Sequence, residues 1–327
     1  MAGNTLRRKL AIASWGDPRE GNIYGKLTVD ASNAVAYIEQ VREETGEKVT
    51  LTHVVGRAVA QALASEPTLN GYIRLGKYVP HDDVALTFLV SMEDGSDLAR
   101  AKVSQAHQKP VTAIAQELRA QAERLRRGQD EDWERSKGLI QALPTWLLRP
   151  LLRFTGWLTS SLGVEARGLG LERFPFGSAI ITSVGMFGLD EGYAPPTPFA
   201  RVPLYVLIGA VREQPTVVDG EIVVKPMLTI TATVDHRFID GFQGGVLARE
   251  FHSVMSDPWQ LGVVERPALD AGTADAPAEP PARRRPATET ATARKATAKK
   301  ATARKATAKK ATAKTATAKR ATRKRSA

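Results

Sequence analysis

From Ala291 to Arg325 the chain repeats a five-residue unit, reading ATARK, ATAKK, ATARK, ATAKK, ATAKT, ATAKR and ATRKR. Its cations apart, the unit offers nothing larger than threonine, so it has no apolar surface with which to offset the entropy of folding. A period of five advances about 140° per repeat on a helix, which sends charge all round and leaves no apolar stripe. Residues 291–327 are therefore expected to form a disordered basic tail, joined by an Ala/Pro-rich linker at 263–290 to a body spanning 1–262. Charge divides at nearly the same place. Residues 281–327 hold 17 Lys/Arg and one acid, Glu289, a net of +16, while the first 280 residues hold 29 bases against 34 acids, a net of −5. The overall charge of +11 thus belongs to the tail, and the body is mildly acidic.

Other composition features narrow the chemistry. The chain has no cysteine, which excludes disulfides, thiolate nucleophiles and Cys-based zinc sites. Its five histidines are scattered without metal-ligand spacing, so no metal is expected. The start, MAGNTLRRKLAIASWGDPRE, has only a short apolar run before Asp17 and does not read as a signal peptide; a cytoplasmic enzyme is the expectation.

Along the body, periodicity alternates between the two regular structures. IYGKLTVD (23–30) alternates as a strand, Val35, Ile38 and Val41 share one helical face, and Val55, Val59 and Leu63 stack on a second helix that Pro67 stops. VALTFLV (84–90) reads as a buried strand, and Pro110 opens a helix whose stripe is Ile114, Leu118 and Leu125. From Ser178 strands dominate: SAIITS, PLYVLIGAV, and TVV and EIVV joined by Asp219-Gly220, a strong hairpin signal. In LTITATV (228–234) Leu228, Ile230, Ala232 and Val234 fall on one face and the threonines on the other. A last helix covers 242–255 with Leu247 and Phe251 inward. The mixture predicts an α/β or α+β body. Residues 138–164 fit poorly: they are apolar and free of acids, yet Pro144, Arg149, Pro150 and Arg153 interrupt them. A membrane span, an interfacial amphipathic element and packing on the body or a partner subunit all stay open, the prolines and arginines arguing against the first.

The strand 228–234 delivers Asp235 and His236 into a turn that ends at Asp240-Gly241. A histidine held there by its backbone can present one ring nitrogen to a cleft, as a general base must. Arg237 and Asp240 lie close enough to His236 along the turn to pair and fix its shape, with Gly241 supplying backbone freedom. By spacing alone, a structural histidine explains the same residues better.

The wider segment GEIVVKPMLTITATVDHRFIDGFQGGVLAREF resembles the C-terminal part of the dihydrolipoamide acyltransferase catalytic domain of 2-oxoacid dehydrogenase complexes, through Asp-His-Arg, two residues, then Asp-Gly. IITSVGMFG (180–188) resembles the family's strand and glycine-rich turn bearing a Ser or Thr oxyanion donor, and VGRAVAQALASEPTLNGYI (55–73) its helix with a Pro-x-Leu-Asn end. The likeness spans roughly 6–262, strong from 178 and faint between 91 and 175. It implies a chloramphenicol acetyltransferase-like mixed sheet packed by helices in two layers. It implies His236 as the base toward the thiol of coenzyme A or dihydrolipoamide, and Thr182 as the oxyanion donor, with Ser183 in that role if the register shifts. It further implies that Asp240 holds the histidine loop, and that sites lie between neighbouring subunits of a homotrimer. His53, His81, His107 and His252 are expected to be surface or packing residues.

Two departures qualify the resemblance. Full-length members bear a lipoyl lysine in an Asp-Lys-Ala turn, and this chain has no Asp-Lys pair, so a lipoyl-bearing partner would act in trans. The family's Gly-Leu-x-x-Pro-Val stretch is replaced by SMEDGSDLARAKV (91–103), and an apolar insertion occupies 138–175. The tail resembles the lysine–alanine tails of linker histones and some bacterial nucleoid proteins. Non-specific DNA binding and a solubilising or anionic-membrane role both fit it. Three functions compete: an acyl-coenzyme A-linked acyltransferase, a catalytically silent scaffold on the same fold, and a nucleic-acid-associated protein that displays the tail.

Overall fold

The structure, a computed structural model, describes residues 21–91, 98–127, 138, 140, 142–166, 168 and 170–267. The expected tail at 291–327, most of the linker and the first twenty residues lie outside the described residues. In chain order the elements are β1 (Asn22–Asp30), α1 (Ser32–Thr45), α2 (Leu51–Ser65), β2 (Gly71–Arg74), β3 (Lys77–Pro80), β4 (Leu86–Ser91), β5 (Leu98–Val103), α3 (Val111–Arg126), α4 (Thr145–Ser160), β6 (Ala179–Ser183), β7 (Leu204–Val218), β8 (Glu221–Asp235) and α5 (Gly241–Ser256).

Six strands form one mixed sheet in the order β1-β8-β7-β6-β4-β5, and β2-β3 is a separate hairpin. β6 runs parallel to β4 and β7, and every other pair is antiparallel. The spine is the β7-β8 hairpin. Its two-residue turn has Asp219 at φ 51° and Gly220 at φ 88°, the left-handed pair that a right-twisted hairpin needs. One face of the sheet packs against α1, α2, α3 and α5 around Tyr37, Leu63, Phe88, Ile114, Leu204 and Met255. The helices carry their own boundary signals. Gly46 ends α1 in the left-handed conformation, its N–H on the Arg42 carbonyl, and Thr50 with His53 forms a capping box on α2.

The expectation of an α/β body with a mixed sheet packed by helices matches this architecture, with one addition. The threonine face of β8 is covered too: Thr229, Thr231 and Thr233 are buried, and Thr231 donates its hydroxyl hydrogen bond to the Gly192 carbonyl. Ile180, Ala200, Val202 and Tyr205 form a second, smaller cluster on that side. α4 lies against the same covering segment at Gly156, where a Cβ would run into the Phe199 carbonyl. Leu148, Thr159 and Ser160 of α4 are buried, while Trp146 is 76% and Phe154 56% exposed. No described helix is long and apolar enough to cross a membrane. Of the three readings of 138–164, α4 shows packing on one side and an open aromatic face on the other.

α5 starts at Asp240, whose side chain accepts the Phe242 N–H at 2.8 Å while Gln243 accepts the Asp240 N–H at 3.1 Å. This reciprocal cap holds the end of the His236 loop. Asp240→Ala should lower stability by about 1 kcal/mol, whereas Asp240→Asn, an equally good N-cap, should stay within a few tenths. Urea denaturation midpoints check this; an Asn variant that falls as far as Ala would assign the stabilisation to charge instead of capping.

Candidate active site

His236 stands at the end of β8, beside β1 and away from the sheet centre. Its backbone is fixed on both sides, the Asp235 N–H donating to Pro203 (2.9 Å) and the His236 N–H to Gly21 (3.2 Å). The loop is then pinned by Ile239, buried in the main core, and by Phe238 packed against it. Within that frame the His236 Nδ1 sits 2.9 Å from the Ile239 carbonyl oxygen. A carbonyl only accepts, so Nδ1 holds a proton and, in the neutral ring, Nε2 is the nitrogen left bare. The side chain is exposed at the molecular surface.

The expected pairing around this loop is corrected. Arg237 forks onto Asp235, Nε to Oδ1 at 2.9 Å, and the same carboxylate accepts the Arg237 backbone N–H at 3.0 Å. Asp240 is engaged as the α5 cap. The loop is therefore held by two separate devices, one at each end of the histidine. Gly241 does not supply special backbone freedom either: it is the first residue of α5, has no left-handed φ, and a Cβ there would meet nothing.

Thr182 and Ser183 end β6 in the middle of the sheet, both half-buried. Alternation sends Ser183 toward the helices with Ile181 and Thr182 toward the opposite face with Ile180. The chain then turns through a short 3-10 segment, Gly185–Phe187, ended by left-handed Gly188. Both hydroxyl residues line a cleft of about 770 Å³, walled by β4 and α3 and closed on one side by Thr50 and His53 of the α2 start. A second cleft of about 500 Å³ shares Thr50, Thr52 and Ser183 and opens toward Arg42 and Arg212. Arg212 is held by Asp190 at 2.6 Å.

Register decides the relation between the two halves. Thr182 aligns with Leu207 of β7, and Leu207 with Thr231 of β8. From Thr231 to Asp235 is roughly 13 Å along β8, with His236 one residue further and two strand spacings, roughly 10 Å, across. Since β8 runs antiparallel to β6, His236 and Thr182 leave the sheet at opposite ends. One chain does not bring them together.

Of the remaining histidines, His81 is packed between the rings of Tyr72 and Phe174, and that burial pushes it down to about 4. His53, expected to be a surface or packing residue, is half-buried, completes the Thr50 capping box and stands in the wall of the Thr182 cleft. The signal available in the sequence was Thr50-x-x-His53 at a helix start, which marks a cap but not a cleft.

Comparison with known proteins adds identity to this geometry. The pattern of the family described as 2-oxoacid dehydrogenases acyltransferase (catalytic domain) matches residues 22–140 and 164–263, which skips α4 and includes both the Thr182 strand and the His236 loop. A dihydrolipoyllysine-residue acetyltransferase component of the acetoin cleaving system from Bacillus subtilis is 24% identical over 221 residues, covering 67% of this chain and 44% of that protein. A probable dihydrolipoyllysine-residue succinyltransferase component of the 2-oxoglutarate dehydrogenase complex from Schizosaccharomyces pombe is 29% identical over 135 residues, covering 38% of this chain and 29% of that protein. The chain thus spans less than half the length of these relatives. Among solved structures, a probable dihydrolipoamide acetyltransferase from Listeria monocytogenes superposes with a TM-score of 0.54 at 20% identity, over 72% of this chain and 85% of the other. A truncated catalytic core of the 2-oxoacid dehydrogenase multienzyme complex from Thermoplasma acidophilum gives 0.54 at 18%, over 79% and 98%. With more than half of its residues matched, and both halves of the site inside the match, the chain belongs to the 2-oxoacid dehydrogenase acyltransferase catalytic-domain family.

Proposed function

We propose that the protein moves an acyl group between coenzyme A and a thiol acceptor, with His236 as general base and Thr182 as oxyanion donor. The observation that supports this most is the His236 tautomer, since a ring whose Nδ1–H is committed to Ile239 offers a bare Nε2 outward. In the proposed reaction Nε2 takes the proton of the incoming thiol and the thiolate attacks the thioester carbonyl. The resulting oxyanion accepts a hydrogen bond from the Thr182 hydroxyl. Collapse then expels the second thiolate, which regains a proton from the His236 imidazolium. No covalent enzyme intermediate is needed.

The opposite placement of the two residues means that His236 of one copy must meet Thr182 of another. A closed homotrimer, with three equivalent interfaces and one site at each, meets that requirement. A lipoyl-bearing protein acting in trans is the acceptor or donor that best suits such a site. A silent scaffold gains no support from a histidine so oriented.

In an acyl-coenzyme A to dihydrolipoamide assay, His236→Ala should reduce turnover by roughly 10²–10⁴-fold without changing the melting temperature. Thr182→Val should cut kcat by roughly 10²–10³-fold with little change in KM, and Thr182→Ser should retain activity. A His236→Ala enzyme within threefold of wild type would sink the mechanism. A Thr182→Val enzyme with raised KM and intact kcat would move Thr182 from catalysis to binding.

Two surface contacts form a further part of the proposal. The 291–327 tail, with many cations and nothing suited to reading bases, is assigned to polyanions without sequence preference. The open face of α4, with Trp146 and Phe154 beside Arg153, is assigned to anionic membrane surface. Truncation after residue 280 should abolish DNA gel shifts and leave acyl transfer unchanged. Trp146→Ser with Phe154→Ser should halve or better the sedimentation of that truncated protein with phosphatidylserine vesicles. DNA binding that survives truncation, or sedimentation indifferent to the two serines, would contradict the respective assignment.

A further inference from the structure

The β7-β8 hairpin outruns the sheet that it organises. β6 stops pairing with β7 at Ile208 and β1 stops pairing with β8 at Met227, whereas the two long strands stay paired as far as Val218 and Glu221. Arg212 on Asp190 and Lys225 on Asp30 tie down the base of this ribbon. From there it runs on by roughly 20 Å at the strand rise. Since β7 is parallel to β6, the ribbon leaves the sheet at the end where β6 delivers Thr182.

Register shows what the ribbon carries. Pro215 pairs with Val224 and Val217 with Ile222, so all four side chains fall on one face. Alternation along β8 puts Ile222 and Val224 on the side of Leu228 and Ile230, and the pairing of Val211 with Leu228 puts Pro215 and Val217 there too. The core face of the sheet thus continues outward, past the helices that cover it. No described residue covers the extension: Val217, Ile222 and Val224 are 68%, 77% and 68% exposed. A two-stranded ribbon is marginal in water without a layer on its apolar face, and its open edges invite further pairing. At the other end of the molecule a second apolar set surrounds the His236 loop. Tyr78 meets Phe238 edge to face at 6.2 Å, Leu75 stands at the turn between β2 and β3, and Phe242 follows the Asp240 cap, all three exposed.

We propose that the apolar face of the ribbon docks on a second copy of this chain, against Leu75, Tyr78 and Phe242 beside that copy's His236. The choice of partner rests on the two-copy reading of the acyl-transfer site. Whatever brings Thr182 of one copy to His236 of another carries the ribbon there as well, because it projects from the Thr182 end. Contact between two unlike surfaces is heterologous and can close into a ring. The rest of the chain suits the ribbon poorly. Residues 268–327 hold a single large apolar side chain, Leu269, and Gly21, where the described chain begins, lies beside His236 at the far end of β8.

The absence of cysteine makes the contact open to direct cross-linking. In the full-length chain carrying both Ile222→Cys and Phe242→Cys, a short bismaleimide should link most of the protein into covalent dimers and trimers, while each single variant stays unlinked. Within one chain the two positions cannot be joined, since roughly 40 Å of β8 lies between Ile222 and the His236 loop. Ile222→Asp with Val224→Asp should sediment as a single chain, keep its helical circular dichroism and lose acyl transfer by roughly 100-fold, as expected when the base of the partner is removed. Thr216→Asp, on the opposite face of the same ribbon, should keep both assembly and turnover. No linked species in the double cysteine variant, or linking by Ile222→Cys alone, overturns the assignment, the latter because ribbons would then meet one another. A wild-type protein that sediments as a single chain, or an aspartate pair that stays assembled, overturns it too. A dissociated aspartate variant with wild-type turnover would uphold the ribbon contact and overturn the two-copy site instead, so the two readings fail separately.

Discussion

The β7-β8 ladder is the constraint on which the rest of the molecule depends. Thirteen register positions tie the two strands together, β1 pairs along the outer side of β8, and β6 along the outer side of β7. Closing the ladder with a two-residue turn at Asp219-Gly220 fixes which residues face the helices, because a slip of one would turn Leu228, Ile230 and Val234 out of the core. The same register fixes the distance between the site residues. Antiparallel β8 exports His236 at one end of the sheet, and β6 exports Thr182 at the other. The proposed two-copy site is thus a consequence of strand direction.

Local hydrogen bonding then sets what each end can do. At His236 a backbone carbonyl captures Nδ1–H, and at His53 a backbone amide captures the Nδ1 lone pair. Among the described residues no carboxylate holds either ring. Asp235 pairs with Arg237 and Asp240 caps α5, so the loop is held at both ends of the histidine.

Much of this was legible in the sequence, where local signals are strong. The Asp-Gly hairpin, the α3 stripe of Ile114, Leu118 and Leu125, and the position of His236 at a strand end follow from periodicity and turn chemistry. Elements whose inward residues are small left no such trace. β5 buries Ala99 and Ala101 between outward Arg100 and Lys102, so its alternation reads as a polar loop. Asp240 holds the loop as a helix cap, a device that Asp-x-x-Gln before an apolar run already marks in the sequence. The place of His53 in the Thr182 cleft depends on packing between α2 and β6, which no spacing along the chain encodes. The β8 threonines show the same limit: alternation separates two faces but does not tell which of them water reaches.

The central claim, that each site takes His236 from one copy and Thr182 from another, is tested most directly by mixing two dead proteins. His236→Ala and Thr182→Val subunits are co-refolded at equal amounts into shared oligomers and assayed for acyl transfer beside the unmixed parents. If sites form between copies, random assembly restores an intact pair at about a quarter of them, and activity should return to roughly that fraction of wild type. Mixed oligomers as inactive as both parents would contradict the two-copy site.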